Sequence, residues 1–200
     1  MNTGRFSLCY FGPISYYAAL LSYPKVVLEQ YDSFTKQTYR NRSYIDSPNG
    51  ELMLNISIDH NSRGLMKETR ISAKENWQQK HWQALITTYG ASPFFDALAP
   101  ELERFYQDEM HSLVEVNFRS SLLVLKWLRY EGEIHLSESW NLEAKETDHR
   151  EDFNPKKRKL APSIAYPQVF DHKTGFKKEL SVLDLIFNEG PASWDYLQQL

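Results

Sequence analysis

The chain has 200 residues, of which 42% are hydrophobic and 14% aromatic, so it can form a sizeable core and is not a disordered chain. Its net charge of −3 argues against a non-specific nucleic-acid binder, because such proteins are usually basic. The single cysteine, Cys9, excludes an intramolecular disulfide and lies in an apolar run, which favours a buried, inert thiol over a nucleophile. No apolar run reaches the roughly 20 residues of a membrane span, and no signal peptide is evident, so a cytoplasmic protein is expected.

The first third of the chain is predicted to form mainly strands. Phe6 to Phe11 is almost wholly apolar, as buried central strands are, and Gly12-Pro13 ends it. Ile14 to Leu21 fits a short helix and Lys25 to Gln30 a second strand, an order that predicts a parallel, Rossmann-like pair. Ligands of such sheets lie beyond the carboxyl ends of the strands, so Gly12-Pro13 and the loop from Glu29 to Lys36 are expected to form a ligand-facing rim.

A β-hairpin is predicted next, around a turn signal at Pro48-Asn49-Gly50. Tyr39 to Ile45 would form its first strand. Glu51 to Ile58, in which every second residue is Leu or Ile, would form the other. Asn61 to Gly64 is expected to be a loop and Glu68 to Ile71 one more short strand.

The rest of the chain is predicted to be mostly helical. Asn76 can cap a helix from Trp77 to Tyr89, whose apolar residues share one face with His81. Further helices are expected at Pro100 to about Met110, Leu113 to Tyr130, Leu180 to Asn188 and Ala192 to Leu200. Residues 143–163 are rich in charge and are expected to form a mobile loop. Its run Lys156-Lys157-Arg158-Lys159 could grip phosphate or nucleic acid, but flanking acids favour a solvated loop.

Together these elements predict an α/β fold, with α+β as the alternative. A small mixed sheet would carry a Rossmann-like βαβ start and a β-hairpin, followed by a helical C-terminal half. One domain of residues 1–200 is expected, with strands mainly over 1–72, helices over 73–132 and a helical segment over 164–200. The standard phosphate-binding, hydrolase and metalloprotease motifs are absent from the sequence. The histidines and the cysteine do not fall at metal-ligand spacing, so no metal is predicted, although a site assembled in space stays open, as does the cofactor.

The densest group of polar side chains lies in residues 36–45, which include Lys36, Tyr39, Arg40, Asn41 and Arg42. On a strand, Arg40 and Arg42 would face the same way, about 7 Å apart, and could clamp a carboxylate or a phosphate. Tyr39 and Asn41 would face the opposite way. An exposed strand face with paired charges is the alternative.

Three other positions are candidates for a site. His81 is the best acid or base, since an imidazole accepts a proton near neutral pH; a hydrogen-bonded core histidine is the alternative. Tyr10, Gly12 and Pro13 follow the first strand, where glycine lets the backbone approach a ligand, although a plain strand-to-helix turn is the simpler interpretation. Asp184 lies in an apolar helix and would need a partner if buried, which an arginine of residues 36–45 could supply.

Six segments of the chain, taken in order, resemble the WbqC-like protein family, most closely its short branch in Bacteroidetes-type bacteria. They are Tyr10–Tyr17, Lys36–Arg42, Trp77–Trp82, Tyr89–Phe95, Tyr166–Phe170 and Leu180–Gly190. The resemblance implies a role in O-antigen or other surface-polysaccharide synthesis and a glycine-transferase activity that joins an amino acid to an amino sugar. Longer members carry an extra segment where this chain has only residues 143–163. If that segment helps to form the donor site, the resemblance implies that this protein binds a different donor or no donor.

The expected function is therefore an acyl- or aminoacyl-transferase acting on an amino sugar or a nucleotide-linked sugar, with small molecules as its partners and the oligomeric state open. The expected catalytic residues are His81, Arg40, Arg42 and Asn41, with the first three converging on one cavity. The expected substrate-binding residues are Tyr10, Gly12, Pro13, Lys36, Tyr39, Asp184 and Asn188. The alternative is a non-catalytic ligand- or protein-binding module, which the missing motifs and the high aromatic content favour.

Overall fold

A computed structural model describes residues 2–62, 64–140 and 146–200, without the side chain of Lys159. The strands are β1 (Thr3–Ser7), β2 (Lys25–Glu29), β3 (Arg42–Ile45), β4 (Leu52–Asn55), β5 (Glu133–Leu136) and β6 (Glu146–Asp148). The α-helices are α1 (Ile14–Leu20), α2 (Trp77–Tyr89), α3 (Phe95–Gln107), α4 (Leu113–Trp127), α5 (Asp171–Thr174), α6 (Val182–Glu189) and α7 (Ser193–Gln198). Short 3₁₀ helices cover His60–Ser62, Met66–Glu68, Arg158–Leu160 and Gly190–Ala192. This mixture confirms the predicted α/β fold.

The main sheet has the strand order β5-β2-β1-β6, and all of its neighbouring strands are parallel. The predicted parallel pairing of the first two strands is confirmed. The sequence missed β5, and β6 falls in residues 143–163, where a loop was expected; residues 143–145 lie outside the described part of the chain. Both are short edge strands with several charged or polar side chains. An edge strand can pair through its backbone groups alone, so no apolar pattern in the sequence predicts these two strands.

The first strand lies earlier than predicted. It ends at Ser7, whereas the apolar run that suggested a strand continues to Phe11. Residues 8–11 leave the sheet but stay buried, and the Tyr10 amide bonds to the Tyr39 carbonyl (2.8 Å). Phe11 even adopts a positive φ of 38°. An apolar run reports burial and cannot by itself distinguish a strand from another buried segment.

The predicted hairpin is confirmed, with shorter strands than expected. β3 and β4 are antiparallel, and Arg42 pairs with Asn55. Residues 36–41 form turns instead of extending β3, since the Thr38 hydroxyl donates to the Thr35 carbonyl (2.7 Å). Arg40 therefore lies outside the strand, and the expectation that it shares a strand face with Arg42 is wrong.

Most predicted helices are present, and α3 differs most from its predicted bounds. The Asn76 side chain caps α2 by accepting from the Gln79 amide (3.1 Å). Helix α3 begins at Phe95, so Pro100 lies inside it and does not start it. Glu68 to Ile71 is not a strand, because only single bridges join Arg70 to Ser112 and Ile58 to Ile71.

The two faces of the parallel sheet differ in chemistry. Phe6, Val26 and Leu28 are buried on one face, where the Phe6 ring meets the Tyr16 ring edge-on with 5.6 Å between centroids. Arg5, Ser7 and Glu29 alternate with these residues and so lie on the opposite face. Parallel sheets usually have apolar residues on both faces, so the polar face stands out as a place where charged groups are concentrated.

Gly190, which follows α6, occupies a position that accepts no larger residue. Its φ is +54°, and a Cβ there would lie 2.5 Å from the Phe94 ring. Gly190→Ala is expected to lower the free energy of unfolding by about 1–3 kcal/mol, measured by chemical denaturation. Gly175→Ala is the matched control: its φ is +72°, but no atom lies within 4 Å of the added Cβ. Equal losses of stability in both variants would show that the contact with Phe94 does not cause the loss.

Candidate functional site

Polar side chains meet where β1 and β2 end. The Ser7 hydroxyl donates to Asp32 Oδ2 (3.1 Å), and Arg40 Nη2 donates to Asp32 Oδ2 (2.9 Å) and to Ser7 Oγ (3.0 Å). All three residues are buried. The rim at the carboxyl ends of the strands is thus formed by Ser7 and the loop after β2, and Gly12-Pro13 take no part in it.

Further ion pairs lie beside this group on the polar sheet face. Arg5 Nη1 lies 2.5 Å from Glu29 Oε2, and Arg5 Nε lies 2.8 Å from Glu146 Oε2. Arg150 Nη1 lies 3.9 Å from both Glu29 Oε2 and Asp32 Oδ1 and links the two groups. Buried charges are stable only when paired, and here they pair with one another. The network therefore fixes the rim and leaves little charge there for a ligand.

His81 lies in an aromatic group. Its Nδ1 is 2.9 Å from the Tyr10 hydroxyl, which is 2.6 Å from the Tyr106 hydroxyl, and its ring also bonds to the Asn55 backbone. Burial lowers the pKa of His81 to about 4, so the imidazole is neutral at pH 7. These contacts fit the hydrogen-bonded core histidine that the sequence left as an alternative. A part for His81 in proton transfer stays a prediction.

The other predicted catalytic residues make different contacts. Asn41 Nδ2 donates to the Ile56 carbonyl (3.0 Å), and Arg42 pairs across the hairpin with Asn55. Because the Asn55 backbone also bonds to His81, Arg42 and His81 share a neighbour. Arg40 instead bonds to Ser7 and Asp32. The three residues therefore do not form one hydrogen-bonded group.

Gly12-Pro13 form a strand-to-helix turn that is attached to α6. The Gly12 carbonyl accepts from the Val182 amide (3.0 Å), and the Ile14 amide donates to the Leu180 carbonyl (3.1 Å). The Ile14 amide therefore already has a protein partner. Lys36 is exposed on its turn.

Cys9 is buried, and burial raises the pKa of its thiol to about 12, which agrees with the expected inert thiol.

Asp184 is fully buried in α6 with partners that the sequence did not predict. Its Oδ1 accepts from the Tyr89 hydroxyl (2.7 Å), and its Oδ2 accepts from the Tyr166 hydroxyl (2.6 Å) and from Gln168 Nε2 (3.1 Å). The expected arginine partner is therefore wrong. Asn188 Nδ2 donates to the Asp184 carbonyl within the helix (2.7 Å). Three of the segments that resemble the WbqC-like family thus meet at one carboxylate.

A second buried acid lies close to Asp184. Asp46, directly after β3, is fully buried, and its Oδ1 lies 2.8 Å from Lys177 Nζ. Burial raises the pKa of Asp184 to about 6, and the charge of Asp46 adds to this effect, although the tyrosine and glutamine donors oppose it. The carboxyl of Asp184 therefore titrates close to neutral pH.

A groove of about 550 Å³ lies along α1, and sequence reasoning missed it. At one end the Ser15 hydroxyl and amide both donate to the carboxylate of Glu179, which is 4% exposed. Burial raises the pKa of Glu179 despite the hydrogen bonds from Ser15. Glu179 also has a positive φ of 59°, a strained conformation of the kind that often occurs at functional sites. No local pattern could have found this pair, because its members are 164 positions apart.

Two cations line the same groove. They are Lys157 and Arg158, and the Arg158 guanidinium lies 4.4 Å from the centre of the Tyr44 ring. The Tyr39 hydroxyl is buried without a hydrogen-bond partner among the described residues. Burial and then the charge of Glu179 raise the pKa of Tyr39. The groove itself thus combines a buried carboxylate with two cations.

The described residues contain no helix that combines the length and apolar character needed to span a bilayer. Over the same residues, no three histidine, cysteine, aspartate or glutamate side chains come together as metal ligands.

Comparisons with known proteins agree with the motifs. The family model for the WbqC-like protein family matches residues 9–158. A protein of Mycobacterium tuberculosis (strain ATCC 25618 / H37Rv), described as "Uncharacterized protein Rv1507c", is 26% identical over a stretch covering 82% of this chain and 84% of that protein. No solved structure matches the chain. The family match covers most of the chain, and the chain belongs to the WbqC-like protein family.

Proposed function

We propose that the protein is an amide-forming transferase. It joins an acyl or aminoacyl group to the amine of an amino sugar or a nucleotide-linked sugar in the synthesis of a bacterial surface polysaccharide. The observation that carries the proposal is the Ser15–Glu179 pair at the end of the groove along α1. Membership of the WbqC-like family supports the polysaccharide context through the resemblance described above.

Glu179 takes the role of general base. An amine loses a proton as its nitrogen bonds to a carbonyl carbon, and a nearby carboxylate with a raised pKa accepts that proton better than an ordinary one. Burial raises the pKa of Glu179, and the Ser15 hydroxyl holds its Oε1 in place. Proton transfer is thereby assigned to Glu179, which lines the groove, in place of His81, which bonds to Tyr10 in the core.

Lys157 and Arg158 supply the remaining charged groups. Lys157 and Arg158 can hold a phosphate of the substrate, since both cations line the groove. Arg40, Asn41 and His81 then act as positioning residues that fix the segments around β1 and the hairpin.

The test is Glu179→Gln, which keeps an acceptor for the Ser15 hydroxyl but cannot take a proton. Transfer onto glucosamine and onto UDP-linked amino sugars would be followed by mass spectrometry with a panel of acyl and aminoacyl donors. The variant is expected to lose about 100-fold or more in turnover. Glu103→Gln is the matched control, because Glu103 is exposed on α3. Unchanged turnover in Glu179→Gln, or no amide product from the wild type with any donor, would contradict the proposal.

A binding module is the second candidate function. It is favoured by exposed apolar side chains near the groove and the sheet, above all Leu160 (85% exposed) and Trp140 (51% exposed). In that case the groove would bind the same ligands, and the thermal unfolding temperature would rise with them, without any product.

A further inference from the structure

The walls of the groove along α1 select the kind of acyl donor. One wall is formed by small residues, namely Ser15, Ala18 and Ala19 on α1 and Ser22 in the turn that follows it. Ser15, Ala18 and Ala19 share one helix face and extend about 6 Å along the axis. Small side chains leave room beside the helix, so the groove continues away from the Ser15–Glu179 pair.

The opposite wall is largely apolar. It is formed by Phe153, Leu160, Ala161, Pro162 and Leu200. Leu160 is 85% exposed and adds to the apolar surface that a ligand in the groove would cover. An extended hydrocarbon chain in the groove would contact these residues on one side and Ala18 and Ala19 on the other.

Charged side chains also line the groove. Glu179 and Asp152 are the acids, and Lys157 and Arg158 are the bases. Arg158 Nη2 also bonds to Glu51 (2.6 Å), and Lys156 precedes Lys157 with an exposed side chain. Lys156 and Lys157 thus place two positive charges beside the Arg158–Glu51 pair, which suits a phosphate-bearing carrier.

We propose that the donor is an acyl thioester of a phosphate-bearing carrier, and that its aliphatic chain lies along α1 between Ala19 and Leu160. This inference rests on the proposed amide-forming activity and names its donor. A free or activated amino acid would use less of the groove, because its ammonium group would pair with Glu179 or Asp152 and would leave the apolar residues uncovered.

The reaction balances without an additional reagent. The acceptor nitrogen attacks the thioester carbonyl carbon, the C–N bond forms, and the C–S bond breaks. Glu179 takes the proton from the nitrogen and passes it to the departing thiolate. The products are an amide and the free thiol of the carrier.

The test compares octanoyl-coenzyme A with acetyl-coenzyme A by isothermal titration calorimetry. Each buried methylene contributes about fourfold in affinity, so the wild type is expected to bind the octanoyl thioester at least tenfold more tightly. Ala19→Leu fills the groove and is expected to reduce the ratio to about onefold. Ala97→Leu makes the same change on the exposed surface of α3 and is expected to leave the ratio unchanged. If Ala19→Leu does not fold, Ser22→Leu replaces it, because Ser22 is exposed and lines the groove just after α1.

Three outcomes would overturn the inference: no binding of octanoyl-coenzyme A, equal binding of the two thioesters, or a chain-length ratio that the groove-filling variant does not change. Amide formation from aminoacyl donors alone would then still support the proposed function. Conversely, tight binding of octanoyl-coenzyme A without an amide product from any donor would support the groove as an acyl site and contradict the proposed function.

Discussion

Replacing Arg5 by methionine is expected to lower the free energy of unfolding by about 3–5 kcal/mol. Arg5 is 3% exposed and pairs with Glu29 and Glu146, whose side chains are 0% and 4% exposed. Methionine fills similar space but removes the positive charge. Glu29 then keeps the Ser137 hydroxyl and the Tyr31 amide as donors, with only the distant Arg150 as counter-charge. Chemical denaturation with a two-state fit measures the loss.

Two variants separate the effect of burial from that of a lost ion pair. Arg119→Met removes a pair with Asp108 on the surface, where the two side chains are 35% and 51% exposed, and is expected to change stability by about 0–1 kcal/mol. Adding Glu29→Gln to Arg5→Met removes the buried negative charge that Arg5→Met leaves on Glu29, and is expected to recover part of the stability that Arg5→Met alone loses. A loss in Arg5→Met no larger than that in Arg119→Met would show that the network does not stabilise the rim.

Two buried groups, Asp184 and His81, are expected to change the stability of the wild type in opposite directions between pH 4 and pH 6. Burial raises the pKa of Asp184 from 3.8 to about 6. The folded state therefore binds more protons than the unfolded state in this window, and stability falls as the pH rises through it. Burial lowers the pKa of His81 from 6.5 to about 4. Here the unfolded state binds more protons, so stability rises with pH up to about 6.5. Each contribution amounts to about 3 kcal/mol.

Single variants should reveal the two contributions. In Asp184→Asn the contribution of His81 is no longer opposed by that of Asp184, so the free energy of unfolding is expected to rise from pH 4 to pH 6.5, by up to about 3 kcal/mol. In His81→Gln it is expected to fall by a similar amount from pH 4 to pH 6. Urea denaturation at half-unit pH steps measures these slopes. Slopes of the same sign in both variants would disprove the opposing contributions.

Much of the fold could be predicted from the sequence because local signals were present. Trp77–Tyr89 was predicted with correct bounds, since Asn76 caps it and one face is apolar. The parallel pairing of β1 and β2 followed from the helix between them. The shift of β1 and the short edge strands β5 and β6 could not be predicted in the same way. An apolar run predicts that a segment is buried but not whether it pairs with another strand. An edge strand of charged residues lacks the alternation of apolar and polar residues that predicts a strand.

The candidate site was harder to predict than the fold. Asp184 was singled out because an acid in an apolar helix needs a partner, but its donors Tyr89 and Tyr166 come from segments that the sequence does not connect. The Ser15–Glu179 pair carried no signal, because each residue is ordinary in its own surroundings. Arg40 drew attention through its charged neighbours, yet its partner is Asp32, on the loop after β2. Sequence reasoning identifies residues with unusual chemistry more readily than it identifies their partners.

The position of β1 inside the sheet has a consequence for how the chain folds. β1 comes first in the sequence but pairs with β2 on one side and β6 on the other, and Arg5 reaches Glu146, 141 positions away. The sheet can therefore be completed only after most of the chain has been synthesised. Contacts between distant parts of a sequence slow folding, so we expect the polar edge of β1 to stay open on the ribosome until β6 emerges.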